Sequence, residues 1–525
     1  MLKVIIKDDP SWHHFKHKES NLWFKGYLYN TSIQEFFKIL QNLEEDSFSS
    51  TLSSLNGHFG FVYQDDDVTF AAVDRVRSIP IFYNDSEISS NPNFLTNERI
   101  INPKAILPFR MAGYTIGNSS LYEQIECPLG GHYLSEKNGL KNQGVYYQYK
   151  PWIFFKDQPT SLDLAKVTLD ILKKTIDSLN GRQVIIPLSA GNDSRLIASG
   201  LKHLGYENVK CYSYGMPGNF EAKIAKIVAD KLGYDFKFLS LSTKEEREFY
   251  RSHEFKKYLS FAESYVSVPY FQSISTISRL KNWIDSDAVF INGGTGDFIS
   301  GGHISSIFSQ NFQESDKERL NKINQANIEK NYSLWEFLKT KENIEHINAQ
   351  LINEMPVDLC EVEDNYEFGL YEYSEFMNRQ SKYVIGGQRA YEFYGYEWRL
   401  PLWDDKYLEF WERVPFDSKF NQKLYIDMLV SQNWGGVWDE SIPVNKKTIR
   451  PLWVIPLRIF FKSCFIFFGK KNWHRFERIF LYYFMDVTRM ITSIRFFSIL
   501  RAIFKGPRHH VSWQAEEYVK SKIIK

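Results

Sequence analysis

Cysteine is scarce in this chain. Four occur in 525 residues (Cys127, Cys211, Cys360 and Cys464), far apart and never in a CxxC pair. That spacing excludes a disulfide framework and gives no zinc signature, and it points to a reducing, cytoplasmic setting. The first ten residues lack a long apolar stretch, so no secretory signal is expected. The most apolar run, residues 451–469, is broken by Arg458 and Lys462, so a clean membrane span is not expected either. Internal repeats, low-complexity linkers and recognisable nucleic-acid modules are also missing, which leaves no reason to expect a nucleic-acid partner. The net charge is only +1.

That small net charge conceals an uneven distribution. From Lys446 to the end there are 17 Lys+Arg against 4 Asp+Glu, leaving 47 basic and 59 acidic residues in the remainder. A mildly acidic body therefore ends in a strongly basic tail. The length predicts two or three domains.

Residues 1–150 read as strand-rich. The β-branched and aromatic segment 57–63 and the apolar segment 68–73 lie at hairpin distance across Asp65-Asp66-Asp67. Beyond Lys150-Pro151 the pattern changes. A helical stretch (162–179) leads to Val184-Ile185-Ile186-Pro187-Leu188, a short apolar run of the kind found in buried parallel strands. Helix and strand then alternate: a helix over 195–204, a strand over 209–214, a helix over 221–232 and a strand over 236–239. This βαβ spacing predicts an α/β fold with a parallel sheet. Residues 310–440 read as mainly helical. The expected division is 1–150, 151–440 and 441–525.

The most informative segment is Leu188-Ser189-Ala190-Gly191-Asn192-Asp193-Ser194, where a strand gives way to a helix. Free backbone N–H groups and the helix dipole favour a phosphate there. Ser189 and Ser194 add hydroxyl donors, and Asp193 is a candidate magnesium ligand. The bland alternative is a helix start capped by Asn192 or Asp193. The loop resembles the SGGxDS pyrophosphate loop of ATP pyrophosphatases, with Ala190 in place of a glycine. It lacks the lysine of a Walker A loop.

A second strand, Ala288-Val289-Phe290-Ile291, feeds Asn292-Gly293-Gly294-Thr295-Gly296-Asp297-Phe298-Ile299-Ser300-Gly301-Gly302-His303. Five glycines around one aspartate point to close backbone approach and a second metal ligand. This segment resembles the SGxGxDExxGGY motif of the asparagine synthetase family. Asp297 stands where that family binds magnesium, while Gly294, Phe298 and His303 replace an acidic residue, a glutamate and a tyrosine. Tyr396-Glu397-Trp398-Arg399-Leu400-Pro401-Leu402-Trp403-Asp404 resembles its ExRxPFLD segment. Lys423 stands like its lysine after "lP…K", which would stabilise charge developing on an adenylate. Glu397 and Arg399 also read as a structural ion pair. Leu188 to Ser194, Tyr214, Gly293 and Gly294 form the expected nucleotide-binding set.

Gly57-His58-Phe59-Gly60-Phe61, the segment 74–83 and the Gly130-Gly131-His132-Tyr133-Leu134 stretch resemble the glutaminase domain of the same family. The resemblance spans about residues 55–430. It implies an Ntn-hydrolase-like αββα sandwich followed by an adenine nucleotide alpha hydrolase-like domain. Glutamine hydrolysis in that class needs Cys at position 2, with its α-amino group as base. Leu2 stands there, so a degenerate glutaminase half is expected.

The implied activity is formation of an acyl-adenylate from ATP–Mg²⁺ and a carboxylate, aspartate or a related acid, then amidation by ammonia or another amine. A sugar acid or secondary-metabolite carboxylate is the alternative acceptor, and a non-catalytic nucleotide-binding or membrane-associated assembly protein the alternative class. A homodimer is expected. In the tail, Met490, Ile494, Phe497, Leu500 and Phe504 recur at helical spacing, with Arg495, Arg501 and Lys505 on another face. They predict a basic amphipathic helix that either meets an anionic membrane's inner face or packs on the body.

Overall fold

A computed structural model describes residues 1–7, 9–96, 98–309, 315–444 and 451–523. The first half contains β1 (Lys3–Ile5), β2 (His13–His17), β3 (Ser20–Leu28), β4 (Gly57–Gln64), β5 (Val68–Val73), β6 (Phe82–Tyr83), β7 (Glu87–Ser89), β8 (His132–Lys137) and β9 (Leu140–Val145). Six of these form an antiparallel sheet in the order β2-β3-β4-β5-β8-β9, and β1-β7-β6 form a small second sheet. The predicted hairpin is β4–β5. Its turn is fixed by Asp65, whose carboxylate accepts from the Asp67 and Val68 amides at 2.9 Å each.

Period-two alternation sorts this half into layers. Phe61, Tyr63 and Phe70 face α1 (Ile33–Gln41) and α2 (Phe48–Ser54), meeting Phe36, Phe37 and Phe48. Val62, Ala71 and Val73 face the other way, toward Ile79, Ile81 and Ile88. The result is the expected layered α/β sandwich. α3 (Pro103–Ala112) follows and packs on the C-terminal helix His510–Ile523, where Phe109 stacks on Tyr518.

The second half opens with α4 (Ser161–Asp177), started by a Thr160–Asp163 capping box. Then come β10 (Val184–Pro187), α5 (Asn192–His203), β11 (Val209–Gly215), α6 (Phe220–Leu232), β12 (Asp235–Ser240), β13 (Val289–Ile291) and β14 (Glu397–Arg399). Every neighbouring pair is parallel, in the order β12-β11-β10-β13-β14. α5 begins at Asn192 rather than Arg195, so the pyrophosphate-like loop runs straight into its first turn. The chain builds outward from β10 through β11 to β12, then crosses back to place β13 on the opposite side. Such a reversal opens a crevice at the carboxyl ends of the two strands that flank it.

The two halves are tied by charge. Lys25 bridges Asp9 and Glu392 at 2.8 Å each, and Arg75 reaches Glu409 at 2.7 Å and Asp405 at 3.4 Å. Buried His58 on β4 sits 2.8 Å from the Tyr27 hydroxyl, which accepts from the Leu400 amide. Burial first, then the Lys174 and Arg399 charges, push the imidazole down to about 3 from an ordinary 6.5. Its contribution to stability is therefore full above pH 6.5 and is lost as pH falls toward 3. Between pH 7 and pH 4.5 the parent should lose about 2–3 kcal/mol more than His58→Gln, at about 1.4 kcal/mol per unit. Urea midpoints at the two pH values check this, and equal losses in both proteins would rule out His58 as the source.

The tail differs from the sequence expectation of one amphipathic helix. Met490–Ser493 is a 3₁₀ turn, Ile494 is extended, and Phe496–Ala502 is a separate helix ending in a 3₁₀ turn, Ile503–Lys505. Met490 and Ile494 are buried, whereas Phe497, Leu500 and Phe504 are exposed. The apparent 3.6-residue period joins residues from two different environments. The break is at Ile494, whose extended backbone separates the 3₁₀ turn from the helix that follows.

Candidate active site at the sheet switch point

The loop after β10 is laced by its serines. Ser194 Oγ accepts from the Ser189 amide at 3.0 Å and lies 3.1 Å from Ser189 Oγ, which in turn accepts from the Gly191 amide at 3.1 Å. The helix N-cap is Gly191, and no side chain caps it. Asn192 and Asp193 are thus already helical, and the capping alternative does not hold. Ala190 is buried and does not adopt a positive φ, so a methyl group is accommodated where the resemblance has glycine. Leu188 is buried as well. Arg195 anchors the loop from below: it donates to the carbonyls of Ala190, Val437, Ile442 and Pro443.

The loop after β13 presses directly on α5. A Cβ at Gly293 would lie 2.5 Å from the Asp193 carbonyl carbon and the Ser194 nitrogen, and one at Gly296 would lie 2.6 Å from the Asp193 carboxylate. Only glycine permits this approach. It lets the Asp297 amide donate to Asp193 Oδ2 at 3.0 Å while Tyr425 OH donates to Oδ1 at 3.0 Å. Burial first, then the Asp297 carboxylate, push Asp193 well above the usual carboxylate range.

A charged chain continues from Asp297 through the turn Phe298–Gly302. His303 bridges two carboxylates: Nε2 is 3.1 Å from Asp297 Oδ2, and Nδ1 is 2.5 Å from Glu375 Oε1. Burial opposes the imidazolium, but Glu375 and Asp297 outweigh it and raise its pKa. Glu375 is buried yet held low by His303 and by Arg379, 2.7 Å away. It also accepts from Tyr371 and Gln380. The helix Glu367–Glu375 presents Glu372 one turn earlier, in a fully buried ion pair with Lys419 at 2.7 Å.

Ser189, Gly191, Asp193, Ser194, Gly293 and Gly294 line one open cleft of about 800 Å³, as does Tyr214, whose hydroxyl accepts from Gln272 at 3.0 Å. The remaining walls were not legible in the sequence. They come from Tyr270, Gln272 and Ser273, from Val384, Gly387 and Gln388 on two successive non-α turns, and from Tyr391 in the short helix Arg389–Phe393 that follows. Asn292 ties the two parts together, donating to Gln388 at 3.1 Å and accepting from the Gly294 amide at 3.0 Å. The structure does not bring Lys423 to this lining: it opens the helix Lys423–Gln432 and is exposed. Glu397 pairs with Arg399 at 3.1 Å and with Arg182 at 2.7 Å, as a structural ion pair should.

Among the described residues no group of three His, Cys, Asp or Glu side chains forms a metal cage. Magnesium does not require one. It keeps several waters and takes phosphate oxygens, with one or two carboxylates from the protein. Asp193 and Asp297, in contact across the two loops, fit that donor set.

Residues 179–426 match the family model described as asparagine synthase, a span just under half of the chain. No curated protein matches the chain. Among solved structures, a glutamine phosphoribosylpyrophosphate amidotransferase from B. subtilis, complexed with ADP and GMP, shares 10% identity over 54% of this chain and 63% of that one, with a TM-score of 0.15. The allosteric regulatory enzyme of purine biosynthesis shares 10% over 55% and 58%, with a TM-score of 0.14. The chain spans less than two thirds of either structure, and superpositions this slight bear no functional weight.

Proposed function

We propose that the cleft binds ATP with magnesium and joins a small carboxylic acid to ammonia or an amine. One observation carries this: the two strand-end loops meet where Ser189, Asp193, Ser194, Gly293 and Gly294 line a single cleft, with the Asp297 amide bonded to the Asp193 carboxylate, inside the segment that matches asparagine synthase. That match supports an ATP-dependent amide ligase. A carboxylate oxygen attacks the α-phosphorus, the bond to the β-phosphate oxygen breaks, and pyrophosphate leaves. The Ser189 and Ser194 hydroxyls and the amides opening α5 would hold that pyrophosphate. Magnesium, when held by Asp193 and Asp297, would neutralise phosphate charge. The amine then attacks the acyl carbon and AMP departs. Lys423, if it takes part, must move from its exposed position.

Two features favour an acceptor other than aspartate. Gly294 lines the cleft without charge, Phe298 is buried in the core, and the His303 imidazole lies against Asp297. A sugar acid or another metabolite carboxylate suits a site with fewer carboxylates than the family pattern. The nitrogen would not come from glutamine hydrolysed in the first half. Leu2 is buried among Trp12, Val62 and Ala71, and its amide donates to Glu136 at 3.0 Å. No nucleophile stands at that position.

Carboxylate-dependent exchange of labelled pyrophosphate into ATP tests the reading. At least one member of a panel of amino acids, sugar acids and dicarboxylates should support exchange, with AMP formed once amine is added. ATP binding at equilibrium with no exchange across the panel would instead support a non-catalytic nucleotide-binding protein.

A further inference from the structure

The tail holds an apolar surface that the fold leaves uncovered. The helices Val454–Cys464 and Gly469–Phe476 make a hairpin around Val454, Trp473 and Leu481, with Phe461, Phe465 and Phe476 packed inside. Its tip faces solvent: Ile466 is 73% exposed, Phe467 94% and Phe468 66%. A row of ring contacts extends the surface away from the hairpin. Trp453 meets Phe484 at 5.2 Å, Phe484 meets Tyr483 at 5.4 Å, Tyr483 meets Phe496 at 5.8 Å, and Phe496 leads to exposed Phe497. Apolar patches that run this far across a surface mark interaction sites.

The charge around the patch identifies the partner. Residues 451–505 carry ten Lys+Arg and two Asp+Glu. Of the two acids, Glu477 pairs with Arg458 and Asp486 is buried. Lys462 and Lys470 flank the tip, and Arg495, Arg501 and Lys505 border the exposed phenylalanines; all five are exposed. An apolar crown ringed by exposed cations matches acyl chains beneath anionic headgroups. No described helix is long and apolar enough to cross a membrane, and the eleven-residue helix of the hairpin spans roughly 16 Å against a hydrocarbon core of about 30 Å. Contact is therefore from one side.

We propose that this hairpin and the neighbouring Phe496–Ala502 helix dock the protein on an anionic phospholipid surface, with Ile466, Phe467 and Phe468 entering the headgroup boundary. The proposal rests on the tail alone and stands apart from the reading of the cleft. Cys464, exposed beside the tip, provides a reporter.

The full chain should float with vesicles of phosphatidylglycerol and phosphatidylcholine, and at least tenfold less with phosphatidylcholine alone, since each basic residue at the surface strengthens binding about fivefold. Salt should weaken it. Phe467→Ser with Phe468→Ser, or Lys462→Glu with Lys470→Glu, should each reduce binding at least tenfold while thermal unfolding stays at the parent midpoint. In a Cys360→Ser background, an environment-sensitive dye on Cys464 should shift to the blue on anionic vesicles. Absence of flotation at low salt overturns the proposal, as does undiminished binding in the folded variants. Self-association of the chain that the phenylalanine variants abolish, without vesicle binding, would assign the surface to a second copy and overturn it too.

Discussion

Asp193→Asn should reduce carboxylate-dependent pyrophosphate exchange at least a hundredfold, about 3 kcal/mol of transition-state stabilisation. The nucleotide-free fold at pH 8 should be no less stable for it. The first effect follows if Asp193 shares a metal with Asp297, because an amide oxygen neutralises nothing. The second follows from burial. Burial and the Asp297 carboxylate raise the Asp193 pKa in the fold above its ordinary 3.8. A carboxyl raised in this way contributes stability that is complete below its unfolded pKa and is lost as pH rises through the folded one. At pH 8 the parent holds two adjacent carboxylates, Asp193 partly buried and Asp297 exposed, whereas the variant holds one. Denaturant midpoints from pH 5 to 8 should therefore fall more steeply in the parent. Exchange that survives in Asp193→Asn would remove the metal role from this residue, and parallel midpoints would show that the two carboxylates are adequately solvated without a cation.

The largest effect on stability should come from Glu372→Ala. Glu372 and Lys419 are both fully buried; Lys419 also donates to Tyr149 OH and to the Trp411 carbonyl at 3.1 Å each. Burial comes first in the pKa of each partner, raising Glu372 to about 7 and lowering Lys419, with the opposite charge working against it. Truncating the glutamate leaves a cation with no counter-charge in a low-dielectric interior, at a cost of about 3–5 kcal/mol. Replacing both partners, Glu372→Leu with Lys419→Met, should recover most of that loss. Equilibrium unfolding of the single and double variants measures both. A double variant as unstable as the single would show that the pair's further hydrogen bonds, not its charges, hold this region. The loop after β13 should feel the single change as well, because a Cβ at Gly301 would lie 2.2 Å from the Lys419 carbonyl oxygen. The Lys419 backbone is thus part of what shapes residues 292–303.

The sequence was readable wherever the determinants were local. Val184, Ile185 and Ile186 formed one apolar run because a central parallel strand is buried on both faces, and all three are fully buried. The glycine loops announced close approach, and Gly293 and Gly296 make it against Asp193. Tyr270, Gln272 and Tyr391 were not readable. Tyr270 and Gln272 lie outside any helix or strand, Tyr391 lies in a five-residue helix too short to show a period, and only the completed fold brings them to the cleft. The Glu375–His303–Asp297 bridge was hidden for the same reason, since its ends are separated by a long helical insertion; His303 stood out only as a departure from a family pattern. The tail misled because Ile494 and Phe497 fit one helical wheel, although an extended residue separates their environments.

The crossover that builds the cleft has a consequence for the chain's birth. The serine loop emerges from synthesis about a hundred residues ahead of the loop that must clasp it, and the far wall around Gln388 and Tyr391 comes about a hundred later still. Nucleotide has nothing complete to grip until those distant stretches close on one another. A ligand that recognises only the finished fold stabilises it by mass action and leaves earlier states untouched. Closure of such sequence-distant contacts is slow. ATP is thus expected to act late, holding the assembled chain against reopening rather than guiding its assembly.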